Sequence, residues 1–428
     1  MTQGPASAVR AALALLAAAV LVAADGPAAQ AASWQRTPIN GANDQSDARA
    51  AVGAGGAAAV VWSGISGRIR VESSPAPGAP FGRVRNISNC CSPVNPVDPT
   101  VAVSPSGEVL AAWQGAPDPS AIYARRGDVT GRWGPVTRVS LPGTFDDSAT
   151  VAISADGTAI VAWIDEPGLV FGNGFVEAAI ARPGEPFTAA QMVSGYETGS
   201  TPDVAVTADD RASVTWVGSG DSLRAADRLP SGGFSSPYTI VETPATSPQQ
   251  PSFQTALDGD GTVLALWNPT SQLHAIAEAA PARAAAPPAA TFASDPYQEH
   301  FQVAAGPGGH GIVCWVLAGE NAGGTVMALT GVHDRWGAPT ALMTLATGEI
   351  GDPTCAIDAT GRAVVSWDDD YRLYTTTRSP RGTWSPPISP TSGVALEAHA
   401  TSHGPVLLVF DSERKTNLAT LHRSWPRQ

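Results

Sequence analysis

Short apolar runs that end in an aromatic residue recur along the chain at nearly equal spacing. Each run follows a turn residue, usually glycine, and the sixth position after that residue is aromatic. The aromatic residues are Trp62, Trp113, Trp163, Trp216, Trp267, Trp315, Trp367 and Phe410. Their separations range from 43 residues (Trp367 to Phe410) to 53 residues (Trp163 to Trp216). Such a period indicates a repeat architecture with one supersecondary unit in each repeat.

Within each repeat the hydrophobic pattern predicts four short strands, which we name a, b, c and d in chain order. Strand a precedes the turn, strand b is the apolar run, strand c follows a variable loop, and strand d opens with an aromatic residue. The b runs are almost wholly apolar, as is typical of strands covered on both faces. Repeated four-stranded antiparallel units predict a β-propeller, because each unit buries both faces only against its neighbours. We expect the repeated Trp residues to form the core between blades.

The two ends of the chain predict how the ring closes. The last repeat has strands a, b and c within residues 397–424 but no full strand d, and a d-like segment lies at residues 34–39. We therefore predict one all-β domain over residues 32–428, with eight four-stranded blades and residues 32–40 supplying the outer strand of the last blade. Seven blades remain an alternative, because the Ala-rich stretch 279–290 obscures the outer strands of the fifth repeat.

The N-terminal residues and the charge balance suggest where the protein works. Residues 1–31 have Arg10, an apolar run over 11–24 and the small-x-small sequence 29–31, a pattern that predicts a signal peptide. We expect a secreted, extracellular, monomeric chain with no membrane span once this segment is removed. The net charge of −13 argues against nucleic acid, whose phosphates need clustered cations.

Acidic residues concentrate in the b–c and d–a connections, which emerge on the same face of a propeller. Asp165, Glu166 and Asp368 are the candidates for acid–base catalysis on this face. The d–a connections hold Asp146 and Asp147 as well.

Further acidic residues on this face are candidates for binding a ligand or a metal ion. The ligand-binding candidates are Asp47, Asp98, Asp352, Asp369, Asp370 and Tyr371. Asp47, Asp98 and Asp352 each lie nine residues before the turn residue of their repeat, and an oxygen-rich ring of this kind suits Ca²⁺. The alternative is that these side chains cap turns and loops. No other cofactor is indicated.

The four cysteines divide into two pairs. Cys90 and Cys91 are adjacent, and a bridge between chain neighbours is strained, so pairing between molecules is the alternative. Cys314 and Cys355 fall in strand b of the sixth repeat and strand a of the seventh. A three-residue a–b turn would place them on facing sides of adjacent blades, which predicts a disulfide.

The repeats resemble those of secreted bacterial β-propellers of the sialidase-like, Asp-box-related superfamily. The resemblance rests on the recurring Gly and Trp, which are six residues apart here and three apart in the Asp box. It implies the fold without the activity, because no Phe-Arg-Ile-Pro segment and no ordered Arg triad of a sialidase can be matched.

Three functions remain open at this level. The first is a non-catalytic exported scaffold that binds a glycan, a cell-envelope polymer or a protein, supported by the loop aromatics Phe171, Phe175, Tyr297 and Tyr371. The second is a glycan-acting hydrolase or lyase that uses carboxylates of the acidic face. The third is a structural module stabilised by Ca²⁺.

Overall fold

A computed structural model gives the fold of most of the chain. It describes residues 35–39, 45–64, 67–76, 79–88, 96–115, 120–143, 145–166, 174–206, 211–218, 222–228, 232–241, 252–257, 263–268, 272–278, 290–293, 301–318, 323–333, 335–346, 348, 350–369, 372–392, 394–399, 406–412 and 417–423. These residues fall within one compact unit, Trp34–Ser424. Their regular elements are all strands, so this part of the chain contains no helix suited to crossing a membrane.

The strands pair in antiparallel groups that follow the sequence repeats, numbered here as units. β1 (Gln35–Pro38) comes first. Unit 1 has β2 (Gln45–Val52), β3 (Ala58–Gly64), β4 (Arg68–Ser74) and β5 (Arg85–Asn86). Unit 2 has β6 (Val97–Val103), β7 (Glu108–Gly115), β8 (Ala121–Asp128) and β9 (Trp133–Arg138). Unit 3 has β10 (Phe145–Ile153), β11 (Ala159–Glu166), β12 (Gly174–Ala181) and β13 (Gln191–Met192). Unit 4 has β14 (Thr198–Val206), β15 (Ala212–Gly218), β16 (Ser222–Asp227) and β17 (Tyr238–Val241), and it joins unit 3 through pairing of β12 with β14.

The remaining strands continue the same order. Unit 5 has β18 (Ser252–Leu257), β19 (Val263–Asn268), β20 (Gln272–Glu278) and β21 (Ala290–Ala293). Unit 6 has β22 (Phe301–Gly306), β23 (His310–Ala318), β24 (Gly324–Val332), β25 (Arg335–Trp336) and β26 (Thr340–Leu345). Unit 7 has β27 (Thr354–Ile357), β28 (Ala363–Asp369), β29 (Arg372–Arg378) and β30 (Ile388–Ser392). The last group has β31 (Val394–His399), β32 (Val406–Ser412) and β33 (Asn417–Arg423).

The core lies between consecutive units, as the apolar b runs predict. Six of the repeated Trp side chains are almost completely buried, namely Trp62, Trp113, Trp163, Trp216, Trp315 and Trp367. Trp163 of unit 3 shares a cluster with Leu110 and Ala112 of unit 2, and Trp216 of unit 4 packs with Ile164 of unit 3. Each of these Trp residues therefore points towards the preceding unit, which confirms its predicted role as core between repeats.

In unit 2 the turn between strands a and b lies where the sequence places it, directly before the apolar run. In unit 2 the N–H of Gly107 donates to the carbonyl of Ser104 over 3.0 Å. Gly107 has φ of 84°, in the left-handed region that glycine enters without a steric penalty. The reversal brings strand b back antiparallel to strand a, with Val103 opposite Val109.

The first strands of successive units contact one another along the whole series. β2 contacts β6, and the contacts continue through β10, β14, β18, β22, β27 and β31; β31 in turn contacts β2. β1 pairs with β33, with Gln35 opposite His422 and Pro38 opposite Ala419. Ile39, directly after β1, packs with Trp62 of unit 1. The N-terminal strand is therefore joined to the C-terminal strand group on one side and to unit 1 on the other.

Candidate functional site

Three acidic side chains lie on one face of unit 3, close to the end where strand b finishes. The register places Asp146 of β10 opposite Asp165 of β11, and Trp163 opposite Glu177 of β12. Paired residues share a face of a sheet, and so do residues two apart on one strand. Because Trp163 faces unit 2, Asp146, Asp165 and Glu177 face unit 2 as well. We call these three residues the carboxylate cluster.

The carboxylate cluster is withdrawn from solvent. Asp146 is fully buried, Asp165 is 8% exposed and Glu177 is 5% exposed. The Oδ1 atom of Asp165 and the Oε2 atom of Glu177 are buried and receive no hydrogen bond from any residue that the structure describes. A buried acceptor without a donor is unfavourable by about 1–3 kcal/mol, and more when it is charged. Such atoms are stabilised when they bind a proton or accept a hydrogen bond from a water molecule or a ligand.

Burial and mutual repulsion determine the protonation of the cluster. Burial raises the pKa of Glu177 to about 7, and the charges of Asp165 and Asp146 add to the shift, while hydrogen bonding by the Trp163 side chain opposes it. Burial also raises the pKa of Asp165. Glu177 is therefore partly protonated near neutral pH, whereas an ordinary glutamic acid is ionised there.

Unit 2 supplies polar groups to the same boundary. The Ser120 hydroxyl accepts from the N–H of Asp146 over 3.0 Å and donates to its carbonyl over 2.9 Å. The Gln114 amide donates to the same carbonyl over 2.8 Å. Phe175 lies opposite Asp165 in the register and is half-buried. Carboxylate, hydroxyl, amide and aromatic groups thus meet where strand b of unit 3 ends.

The structure separates the three residues predicted to be catalytic. Asp165 belongs to the carboxylate cluster, but the adjacent Glu166 points to the opposite face, because successive residues of a strand alternate. Asp368 lies in β28 of unit 7 and is buried. Its Oδ1 atom is 2.6 Å from the position that a Cβ atom on Gly351 would occupy, so only glycine fits there without displacing the carboxylate.

The residues predicted to bind a ligand or calcium lie near the starts of strands a or in unit 7. Asp98 is exposed, has φ of 49°, and lies in the β-bulge between Val97 and Thr100. Asp352 is exposed, and Asp369 is half-buried at the end of β28, in a bridge with Ile350.

The remaining predicted residues bear less directly on the site. Asp47 lies in β2, but its side chain is outside the described part, as are Asp370 and Tyr371. Among the described residues no three His, Cys, Asp or Glu side chains come close enough to hold a metal ion. The calcium ring remains a prediction.

Glu177 was not among the residues singled out from the sequence. Residues 177–182 read as a strand c, and a single acid at its start looks like a solvated strand end. The useful signal is that Glu177 is the one charged residue in the otherwise apolar stretch 175–181, two positions after Phe175. Only the pairing with Trp163 shows that its carboxyl group is directed into the boundary with unit 2.

Comparison with known proteins supports the fold. No family model matches the sequence, and no curated protein matches it. The chain is similar to the BP39L lectin from Burkholderia pseudomallei, with 15% identity and a TM-score of 0.53 over 80% of this chain and 99% of the lectin. It is also similar to the Dos1 propeller, with 10% identity and a TM-score of 0.51 over 93% of this chain and 96% of that one. At these identities the likeness shows the fold alone, and the chain is a β-propeller.

Proposed function

We propose that this chain is an exported, non-catalytic β-propeller that binds a glycan at the boundary between units 2 and 3. The observation that carries the proposal is the pair of buried, unpartnered acceptors, Asp165 Oδ1 and Glu177 Oε2. Sugar hydroxyl groups are donors that such atoms accept, and a half-buried ring such as Phe175 suits the apolar C–H face of a sugar. The similarity of the fold to that of the BP39L lectin supports the proposal.

The architecture that we propose for this scaffold is an eight-bladed ring closed by β1. Units 1 to 7 each supply one blade, and β31, β32, β33 and β1 form the eighth in that order. The contact of β31 with β2 supports closure, and so does the packing of Ile39 on Trp62. Removal of residues 1–31 as a signal peptide would leave β1 intact, since β1 begins at Gln35.

A glycan-binding screen with matched variants tests the proposed function. The chain from Ala32 is applied to an array of glycans and cell-envelope polysaccharides, and hits are quantified by calorimetry. We expect saturable binding that falls at least tenfold in the double variant Asp165→Asn, Glu177→Gln, because amide groups replace two acceptor oxygens by donors. Glu185→Gln, the same exchange at an exposed site of unit 3, should bind as the unmodified chain does. Absence of binding to any glycan, or equal binding by the double variant, would contradict the proposal.

The raised pKa of Glu177 favours a second candidate, a glycan-acting hydrolase or lyase. A carboxyl group that keeps its proton near pH 7 beside other carboxylates is the arrangement that general acid catalysis of glycosidic cleavage uses. Asp165 or Asp146 would then act as the base. Glycans retained on the array are incubated with the protein, and new reducing ends or unsaturated products are measured. Product formation that disappears in Glu177→Gln would show that the chain is an enzyme. Glycans that stay intact would support the non-catalytic binding function instead.

A further inference from the structure

Two thiols meet at the boundary between units 6 and 7. Cys314 of β23 and Cys355 of β27 belong to one buried cluster, with 0% and 2% exposure. The Cys355 thiol donates to the carbonyl of Gln302 over 3.6 Å, and the Cys314 thiol donates to the carbonyl of Pro353 over 3.7 Å. The two side chains also lie within hydrogen-bonding reach of each other. Both are free thiols in the structure.

The same two positions face each other at other boundaries. Cys314 directly precedes the Trp of unit 6, and Cys355 pairs with the residue two before the Trp of unit 7. At the boundary of units 4 and 5 the corresponding position before Trp216 is Thr215, and its hydroxyl lies 3.3 Å from that of Thr255. The repeat therefore brings these two side chains together wherever it is regular.

Apolar residues fill the corresponding positions at three further boundaries. The pairs are Val61 with Val101, Ala112 with Val151, and Ala162 with Val204, and each pair lies within one core cluster. Units 6 and 7 carry two thiols at positions where the other units carry methyl groups or hydroxyls. The fold therefore holds the two thiols side by side.

We infer that Cys314 and Cys355 form a disulfide that links units 6 and 7 covalently. The reaction forms one S–S bond and removes two electrons and two protons from the thiols. A small-molecule disulfide such as oxidised glutathione accepts them: one thiolate displaces a thiol to give a mixed disulfide, and the second thiolate displaces the other thiol. Both glutathione halves leave as reduced thiol.

Burial of the two thiols determines when during folding the disulfide forms. Burial, followed by the neighbouring Cys355, raises the pKa of the Cys314 thiol, so the reactive thiolate is scarce in the folded chain. The disulfide therefore forms during folding, before units 6 and 7 have packed together permanently. Once formed, it is shielded from reductants by the cluster that contains Trp367 and Ile312.

The bond would stabilise units 6 and 7, which make no strand pairing with β1. Cys355 follows Cys314 by 41 residues, so the cross-link closes a loop that includes strands b to d of unit 6. Closing such a loop restricts the unfolded chain.

Refolding under two redox conditions tests the inference. A Cys90→Ser, Cys91→Ser background leaves only Cys314 and Cys355, and the chain from Ala32 is unfolded and refolded with either oxidised glutathione or dithiothreitol. We expect the oxidised sample to have no titratable thiol in denaturant, a peptide that joins residues 314 and 355, and a Tm higher by about 4 °C. The further variant Cys314→Ser should melt at the same temperature in both buffers.

Two free thiols after oxidative refolding would overturn the inference, and so would a linked form that melts below the reduced one. Where the Cys90→Ser, Cys91→Ser background does not fold, peptide mapping of the unmodified chain gives the same decision. A peptide joining residues 314 and 355 supports the bond, and its absence contradicts it.

Discussion

Two neighbouring boundaries of the propeller place opposite charges at the same position of the repeat. Glu177 in unit 3 and Arg224 in unit 4 both lie on strand c, opposite the core Trp of their unit. At the boundary of units 3 and 4, Nη2 of Arg224 is 3.0 Å from Oε2 of Glu197, and Nη1 donates to the Thr239 hydroxyl over 2.7 Å. At the boundary of units 2 and 3, Glu177 meets two further acids, Asp165 and Asp146.

The difference separates a position that supports the fold from one that we propose for binding. The two Nη atoms of Arg224 contact an anion and a hydroxyl group, so most of its charge is compensated within the chain, although its buried Nε atom has no acceptor among the described residues. Glu177 faces carboxylates, and its Oε2 atom has no donor among the residues that the structure describes, which is unfavourable for a buried acceptor. The repeat therefore determines the position of the strand c residue opposite the core Trp. The type of that residue determines whether its charge is compensated by the neighbouring unit.

Of the two losses of stability predicted at fixed pH, reversing the charge at the compensated boundary should give the larger. Arg224→Glu would remove the ion pair and place two carboxylates together opposite Trp216. We expect a loss of about 2–3 kcal/mol in the free energy of unfolding, less than for a fully buried pair because both side chains are partly exposed. Chemical denaturation measures it, with Arg381→Glu as the exposed control. Equal losses in the two variants would show that Arg224 acts only through net charge.

A smaller effect is expected from the hydrogen bonds that join units 2 and 3. Ser120→Ala removes both bonds to the backbone of Asp146 and leaves a buried N–H without its acceptor. The expected loss is about 1 kcal/mol in the free energy of unfolding, measured by the same denaturation. A variant as stable as the unmodified chain would mean that solvent replaces Ser120 and that this boundary is looser than described.

The same contrast explains how much the sequence could predict. The Trp register, the four-strand grouping and the left-handed Gly107 follow from local pattern, because each depends on residues close together in the chain. The orientation of Asp165 and Glu166 to opposite faces follows from alternation, but their partners depend on the register between strands. That register includes a bulge between Asp147 and Thr150, which no local pattern indicates.

Residues that are brought together by pairing between strands were the hardest to predict. Glu177 appeared as one acid in an apolar strand, and its proximity to Asp146 arises only when β10, β11 and β12 are aligned. Asp368 and Asp165 are both sequence candidates for acid–base catalysis, and both follow a core Trp. Asp368 is one residue after its Trp, whereas Asp165 is two residues after, so the two side chains emerge on opposite faces of their units.

The pH dependence of the stability of Glu177→Gln tests the central claim that burial beside Asp165 and Asp146 makes the ionised form of the Glu177 carboxyl group unfavourable. The folded-state pKa of about 7 lies above the ordinary 4.5, so the folded chain holds the proton more tightly than the unfolded chain. The contribution of Glu177 to the free energy of unfolding is therefore fully present below pH 4.5 and is lost as the pH rises to 7. Glutamine does not titrate, so its contribution to the free energy of unfolding does not change over this pH range.

The measurement is the free energy of unfolding of the unmodified chain, Glu177→Gln and the exposed control Glu185→Gln from pH 4.5 to 8. We predict that the unmodified chain loses roughly 3 kcal/mol relative to Glu177→Gln across this range, and that the control follows the unmodified chain. Parallel curves for all three proteins would contradict the account, because they would show that the carboxyl group of Glu177 is already compensated within the chain.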